Sequence, residues 1–307
     1  MANAIPLLSG TDASGGFLAP DQFVQGAFQR GIDRQSAVAA LSQVRRVSGG
    51  TVKFTEYVGR PVAAFVDEAA DKAATGAEYA QVTVDIKKIA AIVMYTQELI
   101  EDAQDDPTVL VNQDVRASFA DLIDSHALGR DSAGAIVSQF NSELTETTQG
   151  VEWVAADADG VADAISSAMA TIEANGYRAT GAILAADGAA QLRNARDADG
   201  RPLYSDGFTS APSSIWGIPL HYSTNLQSFA TAAAAGRVVG VVGDFTHALL
   251  AVRNDISVKF SDQATVDVGG TQHRLWQQNK VASLWEARVG FVAHDLNRAF
   301  VKITNAA

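Results

Sequence analysis

"FVDEAADKAATGAEYAQVTVDI", residues 65–86, begins and ends like β-strand but passes through small polar residues in between. Between Asp67 and Glu78 the only long aliphatic side chain is that of Lys72. A hairpin confined to its own domain needs a turn of only about 2–5 residues. A dozen residues without structure of their own instead mark a functional loop or one that reaches for a partner. On the amino-terminal side, "TVKFTEYV" (residues 51–58) alternates Val52 and Phe54 with Lys53 and Thr55, the pattern of a half-buried strand. On the other side "VTVDI" and "IAAIVMYT" form a long second strand region.

The rest of the chain sets the frame for this loop. Its 307 residues allow one large domain or two ordinary ones, and 47% hydrophobic with 19% charged residues is globular composition. The 35 acidic and 23 basic residues give a net charge of −12. Such a surface repels nucleic acid and anionic membranes, which argues against direct DNA or RNA readout. There is no cysteine, so disulfides, thiolate metal sites and a cysteine nucleophile are excluded. The densest apolar run, "IAAIVMY", is far shorter than the ~20 residues that span a bilayer. "MANAIPLLSGTDASGG" lacks the basic start and apolar stretch of a secretory signal. The reading is a protein made in a cytoplasm and not held in a membrane.

Before the strands, "GGFLAP" reads as a turn, followed by short helices over 21–30 and 36–41 with Asp21 and Ser36 as N-caps. This is an arm with little core of its own. From Pro107 the period becomes helical: Val115, Phe119, Leu122, Ile123 and His126 share a face. Asp105 and Asp106 favour the helix start, Pro107 suits its first turn, and Gly129 closes it after about six turns. Beyond residue 150 an α/β stretch is expected: a helix over 160–174, the strand "GAILA", a short helix over 187–196, and strands in "IWGIPLHYS" and "RVVGVVGDF". The end of the chain is strand-rich. The sharpest boundary falls near Gly150, with the final strands returning to the first domain, an α+β architecture with a discontinuous domain.

Catalytic motifs are missing. There is no nucleophile elbow, P-loop or zinc helix. His126, His221, His247, His273 and His294 show no ligand spacing. "DADG" occurs twice but lacks the remaining calcium ligands, so turn chemistry explains it better. "GGTQ" and "SGG" lack the strand-to-helix context of a phosphate cradle. No metal or cofactor is expected.

The collinear set "WGIPL", "GDF", "RNDISVKFS" and "NKVASLWEARVGFVAHDLNRAFVKIT" (residues 279–304) resembles the tailed-bacteriophage major capsid proteins of the Hong Kong 97-like fold. "GGFLAP" with "SAVAAL" is similar to that family's N-arm, and residues 65–103 to its extended loop and the approach to its spine helix. The resemblance implies an N-arm over 1–50, an E-loop over 51–86, and a P-domain with the spine helix over 87–150. It implies an A-domain over 151–252 and strands over 253–307 that return to the P-domain. The loop would then lie over a neighbouring subunit, with Phe65, Val66 and Tyr79 as its anchors, since aromatic groups carry much of an interface's energy.

What the resemblance implies for function is a non-enzymatic shell subunit of a virion, assembled in the host cytoplasm. Its partners would be many copies of itself as hexamers and pentamers, a portal, and, because only about 48 residues precede the loop, a separate scaffolding protein or none. The shell would enclose double-stranded DNA without sequence-specific binding. Some relatives weld subunits by an isopeptide bond between a loop lysine and an asparagine, assisted by a glutamate. Lys72, Asn279 and Glu286 stand at the matching positions. A spacing of seven puts Asn279 and Glu286 on opposite faces of a plain strand, so a third subunit would have to supply the carboxylate. The bland alternative has Asn279 capping a turn, Glu286 paired with Arg288 or another cation, and Lys72 solvated. Two other readings stay open: an encapsulin-type compartment or gene-transfer particle with the same fold, and a soluble hydrolase with an unrecognised site.

Overall fold

The computed structural model describes residues 36–59, 61–66, 71–72, 75–98, 107–130, 135–137, 139–153, 160–195, 199, 201, 212–226, 237–253 and 257–305. The turn expected at 15–20, the helix at 21–30 and the acidic pair ahead of Pro107 lie outside these residues. In chain order come α1 (Ala37–Leu41), β1 (Gln43–Val47), β2 (Thr51–Gly59), β3 (Glu78–Asp85), β4 (Lys87–Thr96) and α2 (Pro107–Leu128). Then follow β5 (Gly150–Trp153), α3 (Gly160–Ala174), β6 (Gly181–Ala185), α4 (Gly188–Asn194), β7 (Ser214–Ile215), β8 (Ile218–Ser223), β9 (Val238–Gly243) and β10 (Ala248–Arg253). The last elements are β11 (Ser257–Ser261), β12 (Thr265–Val268), β13 (Thr271–Arg274), β14 (Lys280–Ala293), α5 (Leu296–Ala299) and β15 (Phe300–Asn305).

Two larger sheets organise these elements. In the first, β14 is the axis. Antiparallel β4 lines one side, from Lys280↔Thr96 to Val289↔Lys87. On the other side β11 pairs with residues 282–286 and β10 with residues 289–293, and β1 runs parallel outside β10. Period-2 alternation gives this sheet two faces. On one face Ile89, Tyr95, Trp285, Val289 and Phe291 share a core with Val111, Val115, Phe119 and Ile123 of α2. Phe119 is only 2% exposed within its own chain. The other face is treated below.

The buried arc of α2 is rotated from the one its sequence suggests. Leu122 stays 39% exposed and His126 is half-buried, whereas Ala120, Asp124 and Ala127 are buried. The cause is α1, which docks on that side. Ser36 is its N-cap and accepts from the Ala39 amide at 3.0 Å. The Asp124 carboxylate of α2 accepts from Ser36 Oγ at 2.6 Å and from the Ala37 and Val38 amides at 2.8 and 3.1 Å. These are donors that a helix start leaves without partners of its own. Residues 36–41, expected to be part of an arm with little core, thus bury Ala37, Val38 and Ala39 against the body.

The second sheet has the order β5-β15-β9-β6-β8-β7. Its β6–β8 and β5–β15 pairs are parallel and the others antiparallel. Ile165, Ala168 and Ile172 of α3 are buried in the core that both sheets share. The strands after residue 253 are divided between the sheets. β11 and β14 lie beside β4, but β15 is inserted between β5 and β9. "IWGIPLHYS" is split into β7 and β8 by a turn at Trp216 and Gly217, both with positive φ.

Two hairpins stand apart from the sheets. β12–β13 turns on Gly269 and Gly270, whose φ values of 60° and 84° suit glycine. β2–β3 runs in register from Thr51↔Asp85 to Tyr57↔Tyr79, with a shift before Gly59↔Glu78.

Candidate functional site

Its apolar side fixes the base of the β2–β3 hairpin to the second face of the first sheet. Val84, which is fully buried, clusters with Leu249, Ala251 and Val292, and Val47, Phe54, Val82 and Ile86 pack around them. Gly290 makes this crossing possible. A Cβ there would lie 2.6 Å from the Asp85 carbonyl oxygen and 2.8 Å from Val84 Cγ1. Polar contacts complete the clamp. The Asp85 amide donates to Asn141 Oδ1 at 2.8 Å, and Asn141 Nδ2 donates back to the Asp85 carboxylate at 3.2 Å. Thr51 Oγ1 also donates to that carboxylate, and these hydrogen bonds, Asn141's foremost, hold the Asp85 pKa below its usual value.

From this base the hairpin travels in a definite direction. The Arg45 guanidinium lies over the Phe54 ring, 5.7 Å from its centroid. Arg45 and Val47 belong to β1, the outer strand beyond β10. The ribbon therefore crosses from β14 over β10 to β1 and leaves by that edge of the sheet. Past Gly59 the described loop residues 61–66, 71–72 and 75–77 are all exposed. Phe65 is wholly exposed, and Val62, Val66 and Tyr79 present much of their surface. Lys72 is exposed in the same loop.

The remaining length of the second face lies between two covers. At one end is the hairpin base on Gly290 and Val292. At the other, Met94 and Ala282 are buried with Leu275 beside Ala264 and Val266, at the foot of β12–β13. Strand alternation places Lys88, Ala90, Ile92, Leu284, Glu286, Arg288, Ser257 and Lys259 on the floor between them. Lys88 forms an ion pair with Glu286, whose carboxylate also accepts from Ser257 Oγ at 3.5 Å. Lys88, with Lys259 and Arg288 nearby, holds the Glu286 pKa below the usual range. Ile92 is 55% exposed. The floor is thus a shallow cationic trough with an apolar patch.

The three residues singled out for a covalent link are set apart within one chain. Asn279 ends the short 3-10 helix Trp276–Gln278 with φ 45°, and its carbonyl accepts from the Gln97 amide at 2.8 Å. Glu286 lies along β14 from it, roughly 20 Å away at the usual strand rise. Its ion-pair partner is Lys88 rather than Arg288. Alternation alone could have suggested the trough, since Lys88, Ile92, Leu284 and Glu286 keep parity through their strands. Gly290 carried no such signal, because what it accommodates is another strand. Among the described residues no cluster of side chains could hold a metal ion, and no helix is long and apolar enough to cross a membrane.

Comparison with known proteins supplies the context for these surfaces. A family model described as the phage capsid family matches residues 15–305. The probable major capsid protein gp17 of Mycobacterium phage L5 is 29% identical over 306 residues, covering 94% of this chain and 90% of that protein. Its counterpart in Mycobacterium phage D29 is 27% identical over 303 residues, with the same shares covered. Among solved structures, a chain of Gordonia phage Cozz superposes with a TM-score of 0.73 at 22% identity, over 89% of this chain and 87% of that one. A chain from the capsid of a native GTA particle gives 0.64 at 17% identity, over 100% and 95%. A sheet whose second face is only partly covered among the described residues, a hairpin that leaves over its edge and a match along nearly the whole sequence have one explanation: the chain belongs to the phage capsid family and is a structural subunit of a virion shell.

Proposed function

We propose that this subunit is the major capsid protein of a tailed phage, with the Hong Kong 97-like fold, and that it forms hexamers and pentamers closing into an icosahedral shell around double-stranded DNA. The β2–β3 hairpin with its loop is the E-loop, α2 the spine helix of the P-domain, and the sheet containing β6 and β9 belongs to the A-domain. The observation that carries this reading is the direction of the hairpin. It leaves its own sheet with Phe65 wholly exposed, which is how an element built for a neighbouring copy would be presented. An acidic surface, with a net charge of −12, suits a container that does not grip its DNA. A portal and a scaffolding protein are the further partners of this reading, with assembly in the host cytoplasm.

Negative-stain microscopy of the expressed chain tests the proposal: closed shells are expected, and monomers alone would overturn it. The likeness to a GTA capsid chain supports a second reading, a gene-transfer particle. DNA extracted from native particles distinguishes the two, since a phage carries one defined genome and a gene-transfer particle mixed host fragments.

The candidate weld belongs to the same proposal. Lys72 of one copy, as the neutral amine, would attack the Asn279 side-chain carbonyl of a second. A C–N bond forms and ammonia leaves, carrying the proton that Glu286 of a third copy took from the lysine. Denaturing gels of boiled particles read the outcome. A ladder abolished by Lys72→Ala supports the bond, and a single band at 32.2 kDa rules it out.

A further inference from the structure

We infer that Asn175–Gly176, the turn that ends α3, is a site of spontaneous chemical modification: deamidation of Asn175 through a cyclic imide, held back in the folded subunit by Arg298. The chemistry starts from the sequence. Of the asparagines in the chain, only Asn175 is followed by glycine. A residue without a Cβ leaves its backbone nitrogen open to the side chain before it. Once its proton passes to solvent hydroxide, Gly176 N can attack Asn175 Cγ. The N–Cγ bond forms, the Cγ–Nδ2 bond breaks, and Nδ2 takes a proton from water and leaves as ammonia. Water then opens the imide at one of its two carbonyls, giving aspartate or, when the main-chain bond is the one that breaks, isoaspartate. Nothing is oxidised or reduced; the sum is amide plus water to carboxylate plus ammonium.

In the fold each reacting group is engaged elsewhere. Gly176 N donates to the Glu173 carbonyl at 2.9 Å and the Tyr177 amide to that of Ile172 at 3.1 Å. These are the paired bonds of a helix closed by a left-handed glycine, and Gly176 has φ 83°. Asn175 Nδ2 donates to the Arg298 carbonyl at 3.3 Å, and Arg298 Nη2 donates back to the Asn175 carbonyl at 3.2 Å. The amide is thus tied toward α5 while its nucleophile donates into its own helix. Solvent still reaches both, since Gly176 is exposed and Asn175 half-buried. Hydrogen bonding, not burial, is the brake.

The turn sits at a joint of the fold. The Arg298 guanidinium lies over the Tyr177 ring, 5.4 Å from its centroid. Tyr177 donates its hydroxyl proton to the Asp295 carboxylate, and its ring meets His247 edge-on at 5.0 Å. His247 lies where the chain passes from β9 in the second sheet to β10 in the first, and Asp295 where it returns from β14 to β15. The His294 amide donates to the His247 carbonyl at 2.8 Å, so the two crossings run side by side and Tyr177 touches both. Isoaspartate lengthens the main chain between residues 175 and 176, which shifts Tyr177 away from Ile172 and loosens both contacts. Aspartate replaces the Nδ2 donor with an acceptor that faces the Arg298 carbonyl.

Ageing the full-length chain at mildly alkaline pH tests this, with peptide mass mapping and isoaspartyl methyltransferase labelling as readouts at residue 175. Wild type in urea is expected to react roughly tenfold faster or more than in native buffer, because no folded contact then holds Gly176 N. Arg298→Ala keeps the backbone carbonyl but removes the guanidinium. It is expected to speed the native reaction several-fold and to leave the rate in urea unchanged. Tyr177→Phe loses only the hydroxyl and is expected to act in the same direction to a smaller extent; it takes the place of Arg298→Ala if circular dichroism shows that chain unfolded. Asn175→Gln is expected to abolish the label in both buffers. Equal rates in urea and native buffer, a folded Arg298→Ala or Tyr177→Phe chain as slow as wild type, or label that persists in Asn175→Gln overturns the inference. None of these readouts depends on assembly, so the shell reading stands or falls separately.

Discussion

Gly290→Ala isolates the contact that ties the hairpin to the body. The added Cβ would meet the Asp85 carbonyl oxygen at 2.6 Å, Val84 Cγ1 at 2.8 Å and Ile86 Cδ1 at 3.0 Å. Comfortable carbon contacts lie at about 3.5–4.0 Å, so the hairpin base must lift from β14 by up to ~1 Å. The nearest of these atoms is backbone in a paired strand, so no side-chain rotation relieves the clash. Lifting also loosens Val84 from Leu249, Ala251 and Val292 and stretches the Asp85–Asn141 hydrogen bonds. Overpacking of this kind costs about 1–3 kcal/mol. Urea unfolding of unassembled subunits measures the loss. Hydrogen exchange is expected to show faster exchange confined to residues 51–55 and 82–86. Gly50→Ala is the control: it lies at the same base, meets nothing within 4 Å, and is expected to change stability by no more than about 1 kcal/mol. An unchanged midpoint and unchanged exchange in Gly290→Ala would refute the reasoning.

Other perturbations have equally definite outcomes. Burial raises the Asp124 pKa from 3.8 to about 6, so the folded state holds this proton more tightly than the unfolded chain. The stability it contributes is full below about pH 4, falls as pH rises toward 6, and amounts to about 3 kcal/mol by linkage. Wild type is therefore expected to lose about 2 kcal/mol of this relative to Asp124→Asn between pH 4 and 6 in paired urea melts, and parallel curves would refute the shift. Phe119→Asp puts an unpaired carboxylate in the shared core and is expected to unfold the subunit, since truncation alone costs about 3–5 kcal/mol; a wild-type melting profile counts against it. Deleting residues 68–78 is expected to leave the melt unchanged and abolish shells, and normal particles from that deletion would overturn the role given to the loop.

Local signals in the sequence carried most of the elements. Ser36 as a cap, Pro107 and Gly129 as helix limits, and "GAILA" as a buried strand all act through their own neighbours in the chain, and each lies where expected. What escaped was set by distant partners. The arc of α2 turned because Asp124 accepts hydrogen bonds from another helix's start, and nothing in residues 107–128 announces that partner. β15 and β14 look alike as apolar strands, yet they enter different sheets. "GGTQ" was weighed as a phosphate cradle, whereas its glycines form a hairpin turn that the flanking alternation could have revealed. The phage resemblance was legible from collinear motifs, and the exposed loop from its poverty in apolar residues. Alternation could have put Lys88 with Ile92 and Leu284 with Glu286 on one face of each strand, but joining them with Lys259 into one trough needed the register of three strands.

The position of β14 also bears on how the subunit withstands force. Tension applied at the two ends of this strand runs parallel to its axis, with β4 on one side and β11 and β10 on the other. Its cross-strand hydrogen bonds are perpendicular to that axis, so they are loaded together in shear and must fail together. A strand drawn away from the sheet's edge would instead open one bond at a time. A wall under internal pressure is pulled within its plane, and the subunit would meet that pull along its strongest direction when β14 lies in the wall.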